Sequence, residues 1–277
     1  MVKKQLIMEK ALELFAKQGF EATSVQQITE LCGISKGAFY LSFKSKDELI
    51  LSLIDHFMKQ ITSDIDYMVK STNDRQLLYT FYYAVFDSFH KHSDFAKLLL
   101  KEQAQSFNEE LLRKVHYYDS LMDKTILFMI DRLFKEDIQD TKYDLLYCIK
   151  GLMNSYSSLF IFNNVPLDLD LLAQSLVEKT KLLAEHTTIP FISSELFFQL
   201  LKRPKKEEVT KERILEELDQ KIKEMEQSIE KESLVLLKEE LLQPSLSQAI
   251  IKGLIENIRS HPHCKWVSYL LSNYFQF

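Results

Sequence analysis

T23-S-V-Q-Q-I-T-E-L-C-G-I-S-K-G-A-F-Y-L-S-F43 is the stretch around which the 277-residue chain is read. Ser24 and Gln27 form an S-x-x-Q capping box, in which each side chain satisfies one otherwise orphaned backbone N–H. Val25, Ile28 and Leu31 recur at helical spacing, and Gly33 is placed to end that helix as a left-handed residue. Ser35 is a second N-cap, opening a short helix from Lys36 to about Phe43. Two short helices joined by a three- or four-residue turn containing Gly make a helix-turn-helix pattern over about 24–43. In such a motif the second helix enters the DNA major groove. Two packed helices of an ordinary all-α domain would carry the same local signals.

The flanks extend the pattern. Lys3–Gln18 is expected to be a first helix, with Leu6, Ile7, Ala11, Leu14 and Phe15 on one face and Gly19 ending it. Ser45-Lys-Asp-Glu48 is a further capping box, opening a long helix with an apolar stripe from Leu49 through Phe57 to Met68. The run I28-T-E-L-C-G-I-S-K-G-A-F-Y-L-S-F-K-S-K-D-E-L49, with A11-L-E-L-F-A-K-Q-G-F-E-A-T-S24 before it, resembles the N-terminal domain of the tetracycline-repressor (TetR) family of transcriptional regulators. The resemblance is dense over about residues 3–60. It departs at Thr29, where a small Ala is commoner, and at Ser42, where an aromatic residue or His is frequent.

The resemblance implies an all-α fold. A helix-turn-helix domain (1–47) would join a helical ligand-binding and dimerisation domain (48–190) through the long helix. It also implies a homodimeric regulator, a repressor, on double-stranded pseudo-palindromic operator DNA. It places Thr23, Ser24, Ser35, Lys36 and Gly37 at the DNA, followed by Ala38, Tyr40, Leu41, Ser42 and Lys46. Hydroxyls and helix-start N–H groups suit phosphate oxygens, and Gly37 and Ala38 allow close approach. Phe39 and Phe43 are assigned to the core, and the Tyr40 hydroxyl and Lys46 to the DNA backbone. Lys36 could reach a guanine edge or a phosphate.

Composition fits that reading. Residues 1–46 hold seven Lys against four Glu, so +3 sits at an end suited to phosphate contact, while the whole chain carries −5. Five Gly, five Pro and little alternating pattern argue for a nearly all-helical chain. No apolar run approaches the roughly 18 residues that span a bilayer. The N-terminus lacks the apolar core of a secretory signal, so no membrane association and a cytoplasmic location are expected. Cys32, Cys148 and Cys264 form no disulfide framework, which suits a reducing compartment.

Residues 75–187 read as a bundle of helices near 75–92, 94–106, 108–136, 141–163 and 168–186. Large side chains crowd it. Phe81, Tyr82 and Tyr83 are consecutive, and a helix cannot aim all three at one core. An apolar cavity with a few polar groups is the expected use of the surplus. The candidate lining is Tyr82, Phe86, Phe89, Met122, Phe128 and Tyr156. His90, His116, Asp119, Asp123 and Asn154 are its candidate polar groups. By resemblance the occupant is a small-molecule effector, hydrophobic or amphipathic, drug-like or lipid-like, whose binding lowers DNA affinity. The resemblance also implies that the last helices, near 141–187, supply the dimer interface, with Leu145, Leu146, Ile149, Leu152 and Met153 and with Leu169, Leu172, Leu176, Leu182 and Leu183 as its faces.

Members of the resembled family usually end near residue 190–210, so about 70 residues are extra, and 191–277 is read as a helical C-terminal extension. Leu215, Leu218, Ile222, Met225, Ile229 and Leu236 fit a heptad, so 210–240 reads as a coiled coil or as an amphipathic helix packed on its own body. The apolar tail 261–277 could pack on the bundle, extend a dimer contact or enclose the cavity. His261, His263 and Cys264 are metal-competent, but Pro262 and near-contiguity make a shared tetrahedral site awkward. No cofactor, no metal and no enzymatic motif is expected: Walker A, G-x-G-x-x-G, G-x-S-x-G and H-E-x-x-H are absent. A rival reading is a helical interaction protein working through its C-terminal extension, with weak DNA binding.

Overall fold

A computed structural model describes residues 2–103, 109–162, 167–201 and 210–277. Among them every regular element is helical. The chain divides into two compact units, Met1–Arg203 and Pro204–Phe277.

The first unit begins with α1 (Val2–Gln18), α2 (Val25–Cys32), α3 (Lys36–Tyr40) and α4 (Lys46–Ser71). It continues through α5 (Asp74–Lys91), α6 (Ser93–Gln103), α7 (Glu109–Phe134), α8 (Lys142–Phe162), α9 (Leu169–His186) and α10 (Ser194–Leu201). The helix boundary expected at Asn163–Pro166 lies outside the described residues, as does the end of the helix expected to reach 106.

Two cores organise this unit, and α4 enters both. Ile7, Ala11 and Phe15 of α1, Ile28 of α2 and Phe39 of α3 meet Leu49, Ile50, Leu53 and Ile54 of α4 in the N-terminal core. The expected division at 47/48 is therefore not a seam, because the first two turns of α4 complete the N-terminal core. Phe95 and Leu98 of α6 and Leu111 of α7 also reach it. Further along, Ile65 and Val69 of α4 join α5, α7, α8 and α9 in the second core. Phe81 and Tyr82 are buried there while Tyr83 faces outward, as three consecutive helical positions require.

The expected dimer faces are largely internal. Leu145, Leu146, Ile149, Met153 and Leu176 are buried in the protomer's own core, and Leu152, Leu169, Leu172 and Leu183 pack against it. Leu182 remains exposed. Apolar spacing marks a buried face without saying what buries it. The outer stripe of α8 carries Tyr147, Gly151, Asn154, Ser155 and Leu159 instead, and that of α9 carries Leu171 and Leu182.

Residues 191–201, expected to open the extension, belong to the first unit. The Asp144 carboxylate accepts from the N–H groups of Phe191 and Ile192, both at 3.1 Å. Phe197 stacks on Tyr143 at 4.3 Å between ring centroids.

The second unit is a small bundle of α11 (Lys211–Glu224), α12 (Ile229–Leu242), α13 (Gln248–Arg259) and α14 (Lys265–Phe275). The continuous heptad helix expected over 210–240 is two helices. Met225 is extended, and Ser228 opens α12 by accepting from Lys231 N–H at 3.2 Å. The buried positions are Ile214, Leu218, Leu234, Leu237 and Leu241, whereas Ile229 is 71% exposed and Leu236 43%. After Pro244 the turn is held by Glu240, whose carboxylate accepts from Ser245 and Leu246 N–H at 2.7 and 2.8 Å. Trp266, Val267, Leu270 and Leu271 bury the apolar tail within this same unit.

Candidate nucleic-acid interface

Local hydrogen bonds place α3. Ser24 Oγ accepts from Gln27 N–H at 3.2 Å, and Gln27 Oε1 accepts from Ser24 N–H at 2.8 Å, closing the capping box. Val25, Ile28, Thr29 and Cys32 form the inner face of α2, while Leu31 lies outside it, 42% exposed. Thr29 is buried where the related pattern has Ala, and its hydroxyl is satisfied by donating to Gln26 O at 2.8 Å. Gly33 sits at φ 64° and turns the chain into Ser35, whose Oγ accepts from Ala38 N–H at 3.2 Å. A Cβ-bearing residue is strained at that φ.

α3 is shorter than expected. It stops at Tyr40, after which Ser42 and Phe43 both donate to the Phe39 carbonyl, at 2.8 and 3.0 Å. Phe39 and Phe43 are buried anchors, so the opposite face is fixed outward. Ser35, Lys36 and Gly37 are exposed there, with Tyr40 at 53% and Leu41 at 90%. Ala38 and Ser42 are half-buried at its edge. A Cβ added to Gly37 would meet only Ser35 Oγ, at 3.8 Å, so packing within the protein does not demand glycine there.

Thr23 and Lys46 do not share this face. Thr23 is buried; its hydroxyl donates to Gly19 O at 2.7 Å and accepts from Gln18 Nε2 at 3.1 Å. Lys46 Nζ donates to Phe20 O at 2.7 Å and Thr23 O at 2.9 Å, over the Phe20 ring at 4.1 Å. Glu48 also differs from the expected capping box. Ser45 Oγ accepts from Glu48 N–H at 3.0 Å, but the Glu48 carboxylate accepts from Lys44 N–H, one residue earlier, at 2.7 Å.

The residues expected to hold an effector divide into two sets. Tyr82 and Phe86 are buried, and Phe89, Met122 and Tyr156 pack against the same core. Phe86 stacks with Phe160 at 5.6 Å, and the exposed His90 turns its ring edge to Phe160 at 6.4 Å. The Tyr82 hydroxyl lies 2.6 Å from Thr180 Oγ1, and burial pushes its phenol up to about 12. Asp123 is buried and paired with Lys150, which also holds Asp119 at 2.9 Å. His116, Phe128 and Asn154 face outward, away from that core. A cleft of about 280 Å³ lies elsewhere, between α4 (Gln60, Ile61, Asp64, Ile65) and α5 (Ala84, Asp87, Ser88, Lys91, His92).

A polar seam between α4 and α7 was invisible in the sequence. Asp55 accepts from Tyr118 Oη at 2.7 Å and pairs with Lys59 at 3.1 Å and Lys114 at 3.4 Å. Burial pushes the Asp55 carboxyl up, but these three partners hold it below its usual range. Thr125 Oγ1 donates to Asp66 at 3.1 Å. Arg132 donates to Val69 O at 2.9 Å and Thr72 O at 2.6 Å and pairs with Asp74 at 2.6 Å. Such residues look like ordinary solvated charges on two amphipathic helices.

Burial disfavours the thiolate form of the cysteines. Burial pushes the Cys32 thiol up, against the pull of Lys10, and pushes Cys264 up to about 11. Among the described residues no three metal-competent side chains come together, at 261–264 or elsewhere.

The family model for bacterial regulatory proteins of the tetR family matches residues 7–53, the span that builds this face. The chain is 32% identical over 272 residues to the uncharacterized HTH-type transcriptional regulator YerO of Bacillus subtilis, covering 92% of this chain and 89% of that one. It is 30% identical over 270 residues to YuxN of the same organism, an uncharacterized HTH-type transcriptional regulator, covering 92% and 91%. Both alignments are too long to stop before residue 204, so both relatives share at least part of the C-terminal unit. The solved structure of FadR from Bacillus subtilis in complex with stearoyl-CoA superposes with a TM-score of 0.52 at 21% identity, over 66% of this chain and 99% of that one. The α2–α3 geometry and near-full-length relatives agree: the chain belongs to the TetR family and is a DNA-binding transcriptional regulator.

Proposed function

We propose that the protein is a homodimeric repressor that binds a pseudo-palindromic operator and leaves it when an amphipathic, long-chain acyl effector binds. The observation that carries the first half is the outward face of α3. Lys36, Tyr40 and Leu41 project from it, Gly37 leaves its backbone open, and Phe39 and Phe43 hold it rigid. In this reading Ser24, Ser35, Lys36, Gly37, Ala38, Tyr40, Leu41 and Ser42 meet DNA, with Lys36 and the helix-start groups on phosphate or base edges. Thr23 and Lys46 support the face from behind. A pseudo-palindrome needs two heads, and the exposed stripes of α8 and α9 supply an isologous surface for pairing.

The effector reading rests on the second core. Tyr82, Phe86, Phe89 and Phe160 form a ladder of rings beside Met122 and Tyr156, an apolar environment matched to an acyl chain. The stearoyl-CoA in the FadR structure makes that ligand class the first to try. A cytoplasmic location goes with this reading, and among the described residues no helix is long and apolar enough to cross a membrane.

A gel-shift against the DNA upstream of the protein's own gene tests both halves. Specific retention at ~150 mM salt and its loss on adding stearoyl-CoA is the expected result. Weak binding that disappears between ~50 and ~150 mM salt without sequence preference would refute the operator reading. Specific binding indifferent to stearoyl-CoA would refute the effector reading alone.

A further inference from the structure

We infer that Lys46 is a positioning residue, which locks the first turn of α4 to the turn before α2 and so makes the reading helices follow α4. The inference rests on the DNA-binding reading above but gives Lys46 a task other than touching DNA. An ammonium has three N–H donors. Those of Lys46 face three carbonyls of one turn: Phe20 at 2.7 Å, Thr23 at 2.9 Å and Glu21 at 3.5 Å. The charge also lies over the Phe20 ring, 4.1 Å from its centroid, and that ring is buried edge-on against Phe15 at 5.3 Å.

The position adds to the case. Lys46 is the first residue of α4, where the positive end of the helix dipole disfavours a cation. Pointing the ammonium at a cluster of carbonyl oxygens offsets that repulsion. The turn it grips is also the one that sets α2. Gly19, at φ 90°, ends α1, and its carbonyl accepts from the Thr23 hydroxyl. The Thr23 carbonyl accepts from Lys46, and the next residue, Ser24, is the N-cap of α2. A displacement of the α4 N-terminus therefore acts on the N-terminus of α2 through one hydrogen-bonded residue.

The test uses the full chain and a duplex selected from a random library by the wild-type protein. Lys46→Arg keeps the charge, but a planar guanidinium cannot direct three donors into one turn as an ammonium does. Lys46→Met removes the charge and keeps the stem. Both are expected to lower affinity about tenfold, roughly the worth of one charge-assisted hydrogen bond. The salt dependence should stay unchanged, because no phosphate contact is lost. Full affinity in Lys46→Arg would overturn the inference. So would a drop of about one in the salt slope per protomer in Lys46→Met.

Lysine acetylation of the wild-type protein, read by mass spectrometry, gives a measure independent of variant folding. Lys46 should react slowly in the free protein and no differently on DNA, while the exposed Lys36 reacts fast and becomes protected. Fast reaction of free Lys46, or protection by the duplex, would overturn the assignment. Failure to select any duplex would sink the DNA-binding reading, and the free-protein acetylation pattern would still judge the clamp.

Discussion

Replacing Arg132 by Met would test whether the seam between α4 and α7 is a structural joint. The side chain is 26% exposed and donates to two carbonyls at the end of α4, Val69 O and Thr72 O, where unpaired oxygens concentrate. Each is a charge-assisted bond, worth about 1.5–3 kcal/mol when its partner is buried. The third contact, to Asp74, is discounted to under ~1 kcal/mol because that carboxylate is 62% exposed. Partial exposure of the guanidinium discounts the first two as well, so about 2–3 kcal/mol is the expected net loss. Methionine retains most of the aliphatic stem, so the figure reports the guanidinium rather than a cavity. Urea unfolding followed by far-UV ellipticity reads mainly the first unit, which holds α1–α10. The single tryptophan, Trp266, lies in the C-terminal unit, and its fluorescence reads that unit separately. A loss below ~0.5 kcal/mol in the first unit would show that Arg132 is a surface charge and not part of the joint.

Two further outcomes follow from local geometry. Gly33→Ala meets no atom within 4 Å, so its cost is conformational alone; at φ 64° about 1 kcal/mol is expected in urea unfolding. Tyr82→Phe should cost about 1 kcal/mol at neutral pH, because Thr180 Oγ1 still donates to Leu176 O at 2.8 Å. The Tyr82 phenol is raised in the folded state, from about 10 to about 12. Its contribution is therefore fully present below pH ~10 and lost as pH rises toward 12. The wild type should lose stability over that alkaline window more steeply than Tyr82→Phe, and equal slopes by denaturant titration would contradict this.

What could be read beforehand was what hydrogen bonds over three or four residues decide. Ser24, Gly33, Ser35 and Ser45 are such residues, and each caps or turns the chain where its type requires. Leu145 and Ile149 mark a different limit. Their spacing identifies a buried face, yet the face turns inward to α5 and α9 rather than to a second copy. The heptad over 210–240 fails similarly, since apolar period alone did not register the turn at Met225–Ser228 that folds α12 back on α11. Lys46, Asp55 and Arg132 were illegible for a third reason. Lys46 reaches carbonyls 23 to 26 residues away, and Asp55 and Arg132 find partners about 60 residues away. A lone charged residue in sequence gives no sign of such a partner.

Those three residues also say how a ligand could reach the DNA face. α4 is built into both cores, Leu49–Ile54 at one end and Ile65 and Val69 at the other, so neither end moves alone. α7 is fastened to it at Asp55, Asp66 and the Val69–Thr72 terminus, spanning most of the α4 length. An acyl chain entering between the rings of α5 and the side chains of α7 and α8 must displace part of a close-packed core. In the proposed switch, movement of α7 would be passed to α4 through these contacts. At the far end Lys46, the first residue of α4, grips the turn that opens α2. In the proposed dimer two heads would read half-sites of fixed spacing, and a small rotation in each protomer would break the match. Phe86 shares one core with Met129 and Ile130 of α7, α7 is fastened to α4, and Lys46 opens α4. The proposed control by a ligand far from the operator therefore has a path that avoids the DNA face.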